Sequence, residues 1–382
     1  MIAYNFRTHA GNEAGAAAID GGAKLIPWLT GHAFGTLQQN YRAATTRIGE
    51  QQLVRLLIQA TGGAFPDSLI IDYYISLKTN PFVVLTGPEG SGKTALVRTF
   101  AEVLTGSTAP RFTIIGGGDW AAGTGQTNYY RTLHERFGSI RFLEVLHEAV
   151  APDNQGKLFF ICLKALHLDE LNYYFSELLH IHPDGTKRLA LPGMAPEHQP
   201  IVPPNVYITA ILNATDGEHQ LDPRVFKHAG LITFHGGPNF TTLPPPTMLP
   251  APVGYQRMML TSAVRTLDDA RLRLAAILGA NELARLRPSD HLIRLIWHAG
   301  IPLTSRMLHE CTAYVANSFD SEGKGLFDPI NPFNNAQIAF DAQVAQRILW
   351  KLHVIDDQPL HTELAAYYAP TEALRLNAAA QG

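Results

Sequence analysis

The sequence predicts an α/β domain built around a parallel sheet, followed by a smaller helical domain. Short apolar runs alternate with helix-patterned segments up to about residue 235, an alternation that favours a parallel sheet covered by helices. A Pro-rich break then follows at 236–252 (GGPNFTTLPPPTMLPAP), and beyond it the pattern is helical alone. A chain of 382 residues has room for about two domains of ordinary size.

Apolar periodicity predicts the individual elements in chain order. Helices are expected at Gln51–Ala60 and Asp67–Leu77. Strands are expected at Phe82–Thr86, Phe112–Ile115, Leu158–Leu163 and Val206–Leu212. The C-terminal helices are expected at Leu260–Leu278, His291–His298, Ser305–Asn317 and Ala336–Leu352. Between the third and fourth strands, Asp184-Gly185 is a hairpin turn signal within His180–Leu191.

These elements predict four segments. Residues 1–47 form an N-terminal arm or small subdomain, 48–245 the α/β domain, 246–370 the helical domain and 371–382 a flexible tail. No internal repeat is found in the sequence.

Composition excludes several classes of protein. Hydrophobic residues make up 46% and charged residues 16% of the chain, with a net charge of −3, which excludes extensive disorder and nucleic-acid binding by bulk positive charge. Two cysteines exclude a disulfide scaffold and a Cys-rich zinc module. No apolar run reaches the roughly 18 residues of a membrane helix, and the N-terminus lacks a signal-peptide pattern. We therefore expect a cytoplasmic protein without membrane contact.

A phosphate-binding loop is the strongest signal in the sequence. It consists of Gly87, Pro88, Glu89, Gly90, Ser91, Gly92, Lys93 and Thr94, and it lies between a predicted strand and a predicted helix, as the G-x-x-x-x-G-K-[ST] motif requires. The glycines allow backbone N–H groups to surround phosphates. Lys93 would reach the β- and γ-phosphates, and the Thr94 hydroxyl would ligate Mg²⁺. The expected cofactors are ATP or GTP with Mg²⁺.

Around this loop the sequence resembles the McrB-like AAA+ family, the motor subunits of modified-cytosine restriction systems. The resemblance covers roughly residues 50–367. The stretches that carry it are Ser76–Gly87 (SLKTNPFVVLTG), Gly118–Trp120 with Asn128–Tyr130, Tyr173–Leu179 (YYFSELL), Val202–Ile208 (VPPNVYI), Thr304–Arg306 and Asp341–His353 (DAQVAQRILWKLH).

The resemblance implies a fold, an assembly and further site residues. It implies an AAA+ P-loop NTPase core with an all-helical lid, in a homo-oligomeric, hexameric ring with nucleotide at the subunit junctions. Asn213 would be the sensor 1 residue and Arg306 the sensor 2 residue. Partners would be a nuclease protein, and DNA contacted through that partner or through the ring pore. The predicted hairpin carries Lys187 and Arg188, which could touch a phosphate backbone there.

The acidic Walker B pair has two alternative placements. An NTPase needs an Asp to hold Mg²⁺ and a Glu to position water at the end of the corresponding strand. Laying the family pattern on the chain without gaps puts Lys164 and Ala165 there; the alternative is Asp169-Glu170. We favour the ungapped interpretation because the apolar strand ends at Leu163. Asp169 and Glu170 would then be acids in the first turn of the next helix, where the dipole favours them.

The arginine finger also departs from the family pattern. Where the family often has Asp-Arg-Ala, this chain has Lys227-His228-Ala229. His228 lacks a permanent charge near neutral pH, and Arg224, one helical turn earlier, could substitute.

These features lead to one functional expectation with two alternatives. The leading expectation is an NTP-binding McrB-like ring subunit of a DNA-restriction or phage-defence assembly, with weak or lost hydrolysis. The alternatives are an active motor that uses Asp169, Glu170 and Arg224 together with a nuclease partner, and a non-enzymatic scaffold with structural nucleotide.

Overall fold

The structure of the chain, a computed structural model, describes residues 49–105, 111–115, 141–164, 179–181, 187–190, 195–213, 225, 229–234, 253–264, 266–286, 305–344 and 346. They form two compact units. Unit 1 contains the described residues up to Phe65 and from Asn80 to Ala263, and unit 2 contains Pro66–Thr79 and the described residues from Val264 onward. The helix before the first strand, Asp67–Thr79, belongs to unit 2. The four predicted segments stay predictions.

The helices and strands are numbered in chain order. The helices are α1 (Glu50–Ala60), α2 (Asp67–Thr79), α3 (Lys93–Thr105), α4 (Arg141–Val150), α5 (Val253–Ser262), α6 (Leu267–Leu278), α7 (Ala280–Arg285), α8 (Ser305–Asn317) and α9 (Pro332–Val344). The strands are β1 (Phe82–Thr86), β2 (Phe112–Ile115), β3 (Phe159–Lys164), β4 (Leu179–Ile181), β5 (Lys187–Leu189), β6 (Ile201–Val202), β7 (Val206–Ile211) and β8 (Gly230–Thr233). Short 3₁₀ helices span Pro152–Asn154 and Pro196–His198.

A five-stranded sheet forms the centre of unit 1, with the order β2-β3-β7-β1-β8. Every neighbouring pair is parallel, and one row across the sheet joins Lys164, Ile211, Leu85 and Ile232. The carboxyl ends of the strands therefore meet at one edge, here called the carboxyl edge. Ligands of open α/β sheets bind outside this edge.

Continuous burial explains why these runs become parallel strands. All six residues of β7 and the first five of β3 are buried, as expected for a sheet covered on both faces. The predicted strands at Phe82–Thr86 and Phe112–Ile115 are confirmed. β3 is shifted by one residue and ends at Lys164, and β7 ends at Ile211.

Helix α3 runs from the carboxyl edge back to the opposite edge of the sheet. At its start, Lys93 Nζ donates to the carbonyl of Gly87, directly after β1. At its end, the carbonyl of Thr105 accepts from the guanidinium of Arg111, directly before β2, at 2.8 Å. One apolar face of this helix is buried through Leu96, Phe100, Val103 and Leu104. The amino end of α3 consequently points its backbone N–H groups toward the carboxyl edge.

A second, three-stranded sheet in unit 1 contains the predicted hairpin. β4 and β5 are antiparallel, with His180 opposite Arg188, and β6 pairs with β5. The turn signal Asp184-Gly185 lies outside the described residues.

The prediction of one helix across Leu260–Leu278 is wrong. The chain breaks between α5 and α6, because Thr266 caps α6 by accepting a hydrogen bond from Asp269 N at 3.1 Å. The backbone N–H of Val264 also donates to Asn317 Oδ1 at 2.7 Å. A side chain distant in sequence thus holds this backbone out of a helix.

Unit 2 contains α2, α6, α7, α8 and α9 among its described elements. The buried Asn317 joins three segments: its Nδ2 donates to Thr79 Oγ1 and to the Val264 carbonyl, and its own carbonyl accepts from the buried Lys78. The predicted helix Ser305–Asn317 is confirmed, and α9 begins earlier than predicted, at Pro332. The predicted end of this helix at Leu352 and the predicted helix at 291–298 lie outside the described residues. No helix in the described ranges has the length and apolar character needed to cross a membrane.

Candidate nucleotide-binding site

The phosphate loop leaves β1 and enters α3 at the carboxyl edge. Gly87, Gly90 and Gly92 have φ angles of +141°, +75° and +86°, a region that favours glycine. Residues 88–90 at the tip are exposed, whereas Ser91 is buried. The loop thus combines an exposed tip with the turns that direct backbone N–H groups inward, as a phosphate cradle requires.

Gly87 is required for a close approach as well as for its conformation. A Cβ placed on it would lie 2.6 Å from the backbone oxygen of Phe234 and 2.8 Å from the Phe234 Cβ. Phe234 follows β8 directly, and its N–H donates to the carbonyl of Thr86 at 2.8 Å. The end of β8 therefore supports the first turn of the loop.

Replacing Gly87 by alanine should lower the free energy of unfolding by about 2–4 kcal/mol, from backbone strain plus a collision with backbone that cannot rotate away. A matched control is Gly63→Ala, which has φ +76° but no atom within 4 Å of the added Cβ. We expect that control to cost about 1–2 kcal/mol. Denaturant titration of both variants measures the difference, and equal losses would contradict the role of the Phe234 contact.

Lys93 is held inside the loop by three hydrogen bonds. Its Nζ donates to the carbonyl of Gly87 at 2.8 Å, to that of Pro88 at 2.6 Å and to Ser91 Oγ at 3.1 Å. The residue is 4% exposed. Burial lowers the pKa of Lys93 below its ordinary value, and the nearby carboxylate of Glu89 acts in the opposite direction. An ammonium held in a partly dehydrated loop is poised to interact strongly with anionic oxygens.

Thr94 lies in the first turn of α3 and is half-buried. The N–H of Leu96, two residues on, already donates to the carbonyl of Gly92 at 3.0 Å. The helix therefore starts at the loop itself, and its positive dipole end adds to anion binding.

Two of the other predicted site residues lie at the carboxyl edge. Lys164 is the last residue of β3 and is exposed, and Asn213, also exposed, follows β7 by two residues. β7 is the neighbour of β1 in the sheet, so Asn213 follows the strand next to the one that leads into the loop. β3 is one strand farther away, at roughly 10 Å from β1.

The remaining predicted residues are not described with their side chains. Ala165, Asp169, Glu170, Arg224 and His228 lie outside the described residues. Arg306 is the second residue of α8 in unit 2, and its side chain is likewise not described. Their proposed roles stay predictions.

Lys187, a basic residue on strand β5 of the hairpin, contacts other residues of unit 1. Its Nζ donates to Asn80 Oδ1 at 3.0 Å and lies 4.6 Å from the centre of the Phe82 ring. Asn80 and Phe82 are at the start of β1, at the edge opposite the phosphate loop. Lys187 therefore stabilises the packing of β5 against the start of β1, a use that the sequence pattern did not indicate.

Cys162, on β3, is a buried thiol whose pKa is raised to about 12, mainly by burial. The positive charges of Lys164 and of Arg98, on α3, act against this rise. The thiol is therefore protonated at neutral pH and unreactive.

Sequence reasoning missed β8 and with it the support of Gly87 by Phe234. The apolar run Leu231-Ile232-Thr233-Phe234 was the available signal. Within the described ranges, no group of three or more His, Cys, Asp or Glu side chains is placed to hold a metal ion.

Comparison with known proteins does not assign a family. No protein-family model matches the chain, and no curated protein matches it. Among solved structures, a full-length MCM homolog from Methanopyrus kandleri is 11% identical to this chain, with a TM-score of 0.37. The match covers 82% of this chain and 62% of the Methanopyrus chain. PCH-2 from C. elegans is 13% identical over 73% and 69% of the two chains, with a TM-score of 0.26. This chain therefore spans less than two thirds of the Methanopyrus protein, and similarities this distant carry no functional argument.

Proposed function

We propose that this chain is an NTP-binding AAA+ ring subunit of the McrB-like type, acting in a DNA-restriction or phage-defence assembly with weak or lost hydrolysis. The observation that carries the nucleotide-binding part is the phosphate loop, in which positive-φ glycines and the buried Lys93 lie at the start of α3. The McrB-like part is supported by the sequence resemblance around that loop.

The arrangement of the loop suits a nucleoside triphosphate. Backbone N–H groups of the loop and of the first turn of α3 face the carboxyl edge, where they can donate to phosphate oxygens. Lys93 adds a compact positive charge that can move from the carbonyls of Gly87 and Pro88 to those oxygens. The ligand we propose is ATP or GTP, because the phosphate chain is common to both.

The five-stranded parallel sheet supports the AAA+ assignment, since it places β7 and Asn213 beside the loop. In this proposal Asn213 is the sensor 1 residue, and the helices of unit 2 form the lid with Arg306 as sensor 2. Arg224, or failing that His228, would act on the nucleotide of a neighbouring subunit.

Mg²⁺ fits the described residues poorly. Thr94 offers one hydroxyl ligand, but hard cations are usually held by carboxylate oxygens as well. The strand end at which such a carboxylate is expected carries Lys164, whose ammonium is a hydrogen-bond donor with no acceptor capacity. The described donor set therefore suits phosphate oxygens better than it suits a divalent cation, which supports weak or lost hydrolysis.

The proposed assembly is a homo-oligomeric ring, hexameric by resemblance, that works with a nuclease partner and reaches DNA through that partner or through its pore. Nucleotide at a subunit junction would add contacts across it, so assembly should strengthen when nucleotide binds.

Nucleotide-dependent assembly tests this proposal. We expect the mass measured by light scattering to rise from a small species to a ring-sized species when ATP or GTP is added. Lys93→Ala should remove this response. Lys157→Ala should retain it, because Lys157 is exposed and lies two residues before β3, away from the carboxyl edge. A mass that stays monomeric at high protein concentration with either nucleotide would contradict the ring.

A further inference from the structure

We propose that the Ser91 hydroxyl is the pivot of the phosphate-binding lysine. It keeps its hydrogen bond with the Lys93 ammonium while that ammonium exchanges two loop carbonyls for the phosphate oxygens of a nucleotide. Ser91 is in this sense a positioning residue, which acts through Lys93. The inference rests on the proposed nucleotide-binding function and deepens it, because it names the side chain that controls the position and the charge of the lysine.

The Lys93 ammonium has three hydrogen-bond acceptors within the phosphate loop. Its Nζ donates to the carbonyl of Gly87 at 2.8 Å, to that of Pro88 at 2.6 Å and to Ser91 Oγ at 3.1 Å. An ammonium has three protons to donate, so these three bonds use its full capacity. Binding a phosphate oxygen therefore requires the lysine to release at least one of them.

The two carbonyl bonds are the ones to be released. A carbonyl oxygen only accepts hydrogen bonds, as a phosphate oxygen does, so the two kinds of oxygen compete for the ammonium. The backbone at Gly87 is also fixed, with a φ of +141° and a packing on Phe234 so close that an added Cβ would lie 2.6 Å from the Phe234 backbone oxygen. The Gly87 carbonyl consequently cannot follow the ammonium toward a ligand.

The Ser91 hydroxyl differs from the carbonyls in two respects. Its oxygen is carried by a side chain with a rotatable χ1 bond, so it can adjust as the ammonium moves. Its proton can also be donated to an acceptor while its lone pairs accept from the lysine. Ser91 can therefore hold Lys93 and donate to a phosphate oxygen at the same time, which neither carbonyl can do.

Burial makes the bond between Ser91 and Lys93 difficult for water to replace. Ser91 is 2% exposed and Lys93 is 4% exposed, and the hydrogen bond between their side chains is buried. The Ser91 backbone is itself held, because its N–H donates to the Pro88 carbonyl at 3.3 Å. Without the hydroxyl, the ammonium would lose an acceptor at a place that water reaches poorly.

The same bond influences the pH range over which Lys93 is charged. Burial lowers the pKa of Lys93, and the carboxylate of Glu89 acts to raise it. A hydroxyl that accepts from the ammonium favours the charged form, so it opposes the effect of burial. Loss of the hydroxyl should lower the pKa of Lys93 further, and the alkaline fall in nucleotide affinity should then begin at a lower pH.

Titration with a fluorescent ATP or GTP analogue across the alkaline pH range tests the inference. Ser91→Ala should bind about tenfold more weakly than the wild type and should lose its affinity at a lower pH. Ser91→Thr keeps the hydroxyl and should retain both the affinity and the pH profile of the wild type. Thr105→Val is the matched control, because it removes a buried hydroxyl from the other end of α3, about 18 Å along the helix.

A double-mutant cycle in denaturant measures the contact without a nucleotide. The free energy of unfolding is compared among the wild type, Ser91→Ala, Lys93→Met and the double variant. Because the two side chains share a hydrogen bond, the loss in the double variant should be smaller than the sum of the two single losses.

Each contrary result has a distinct meaning. Wild-type affinity and pH profile in Ser91→Ala would overturn the role of Ser91 while leaving the phosphate loop in place, as would an equal weakening in Ser91→Thr or an additive cycle. A weaker affinity of Ser91→Ala with an unchanged pH profile would show a general disturbance of the loop, and would overturn the pivot as well. Failure of the wild type to bind either analogue would overturn the proposed function, and this inference with it.

Discussion

Alanine at Lys93 is expected to abolish measurable nucleotide binding. Lys93 is 4% exposed, so its interaction with phosphate oxygens is less weakened by water than that of a surface lysine. Two charge-assisted hydrogen bonds of about 1.5–3 kcal/mol each would be lost, which corresponds to an affinity about 10²- to 10⁴-fold weaker. Calorimetric titration with ATP and with GTP measures the change.

Two companion variants separate charge from structure. Lys93→Ala also leaves the carbonyls of Gly87 and Pro88 and the hydroxyl of Ser91 without this donor, so part of its effect could come from a disturbed loop. Lys93→Arg keeps the charge but replaces a compact ammonium by a planar fork, and should bind poorly. Lys157→Ala should bind normally. Unchanged affinity in Lys93→Ala would contradict the assignment of this loop.

The pH dependence gives a second readout of the same group. The pKa of Lys93 is lowered in the folded chain, chiefly by burial. Between this lowered pKa and the ordinary value, the folded state holds fewer protons than the unfolded state, so stability should rise with pH in that alkaline window. Nucleotide affinity should fall over the same window, because the lysine loses the charge that the phosphates need. The rise in stability over this pH window should be absent in Lys93→Met, which has no ammonium to titrate.

The second large effect concerns hydrolysis and distinguishes the two placements of the acidic pair. If Lys164 and Ala165 occupy the Walker B position, loss of a positioned base alone costs about 10²- to 10⁴-fold in rate. Absence of an effective arginine finger, as at His228, costs about 10³- to 10⁵-fold. We therefore expect wild-type turnover near background in a phosphate-release assay.

Variants at both candidate positions of the acidic Walker B pair distinguish the two placements. Glu170→Gln should hardly change the rate if Glu170 is an acid at a helix start, whereas a collapse of measurable turnover would identify Asp169-Glu170 as the catalytic pair. Lys164→Asp combined with Ala165→Glu should raise turnover where Arg224 serves as the finger. The Lys93→Ala variant, which we expect not to bind, sets the background of the assay.

Local sequence patterns predicted several elements closely. The strand Phe82–Thr86, the loop after it and the helix Ser305–Asn317 follow from an apolar run, a glycine motif and a helical period, each contained within a few residues. β8 was missed because its four residues form a short strand whose pairing partner, β1, lies about 150 residues earlier in the chain. The break between α5 and α6 was missed in part because Asn317 holds Val264, and that contact spans 53 residues.

The candidate site also contains residues that a local motif predicts and residues whose positions depend on tertiary structure. The roles proposed for Gly87, Lys93 and Thr94 come from one contiguous motif, so the sequence could place them together. The row that Lys164 shares with Ile211 and Leu85 could not be predicted, because it depends on strand order and register. The sequence allowed Lys187 to touch a phosphate backbone or to lie in an exposed turn, and did not indicate its contacts with Asn80 and Phe82.

The sequence by itself determined that this protein has a strand, a phosphate loop and a helix in succession, because backbone turns and apolar periodicity are encoded by neighbouring residues. Only the tertiary structure decided that Phe234 closes against Gly87, that Lys164 shares a row of the sheet with Ile211, and that α2 belongs to unit 2. These facts depend on strand order, register and helix packing. Each is set by the summed burial of side chains far apart in the chain, which no local pattern contains.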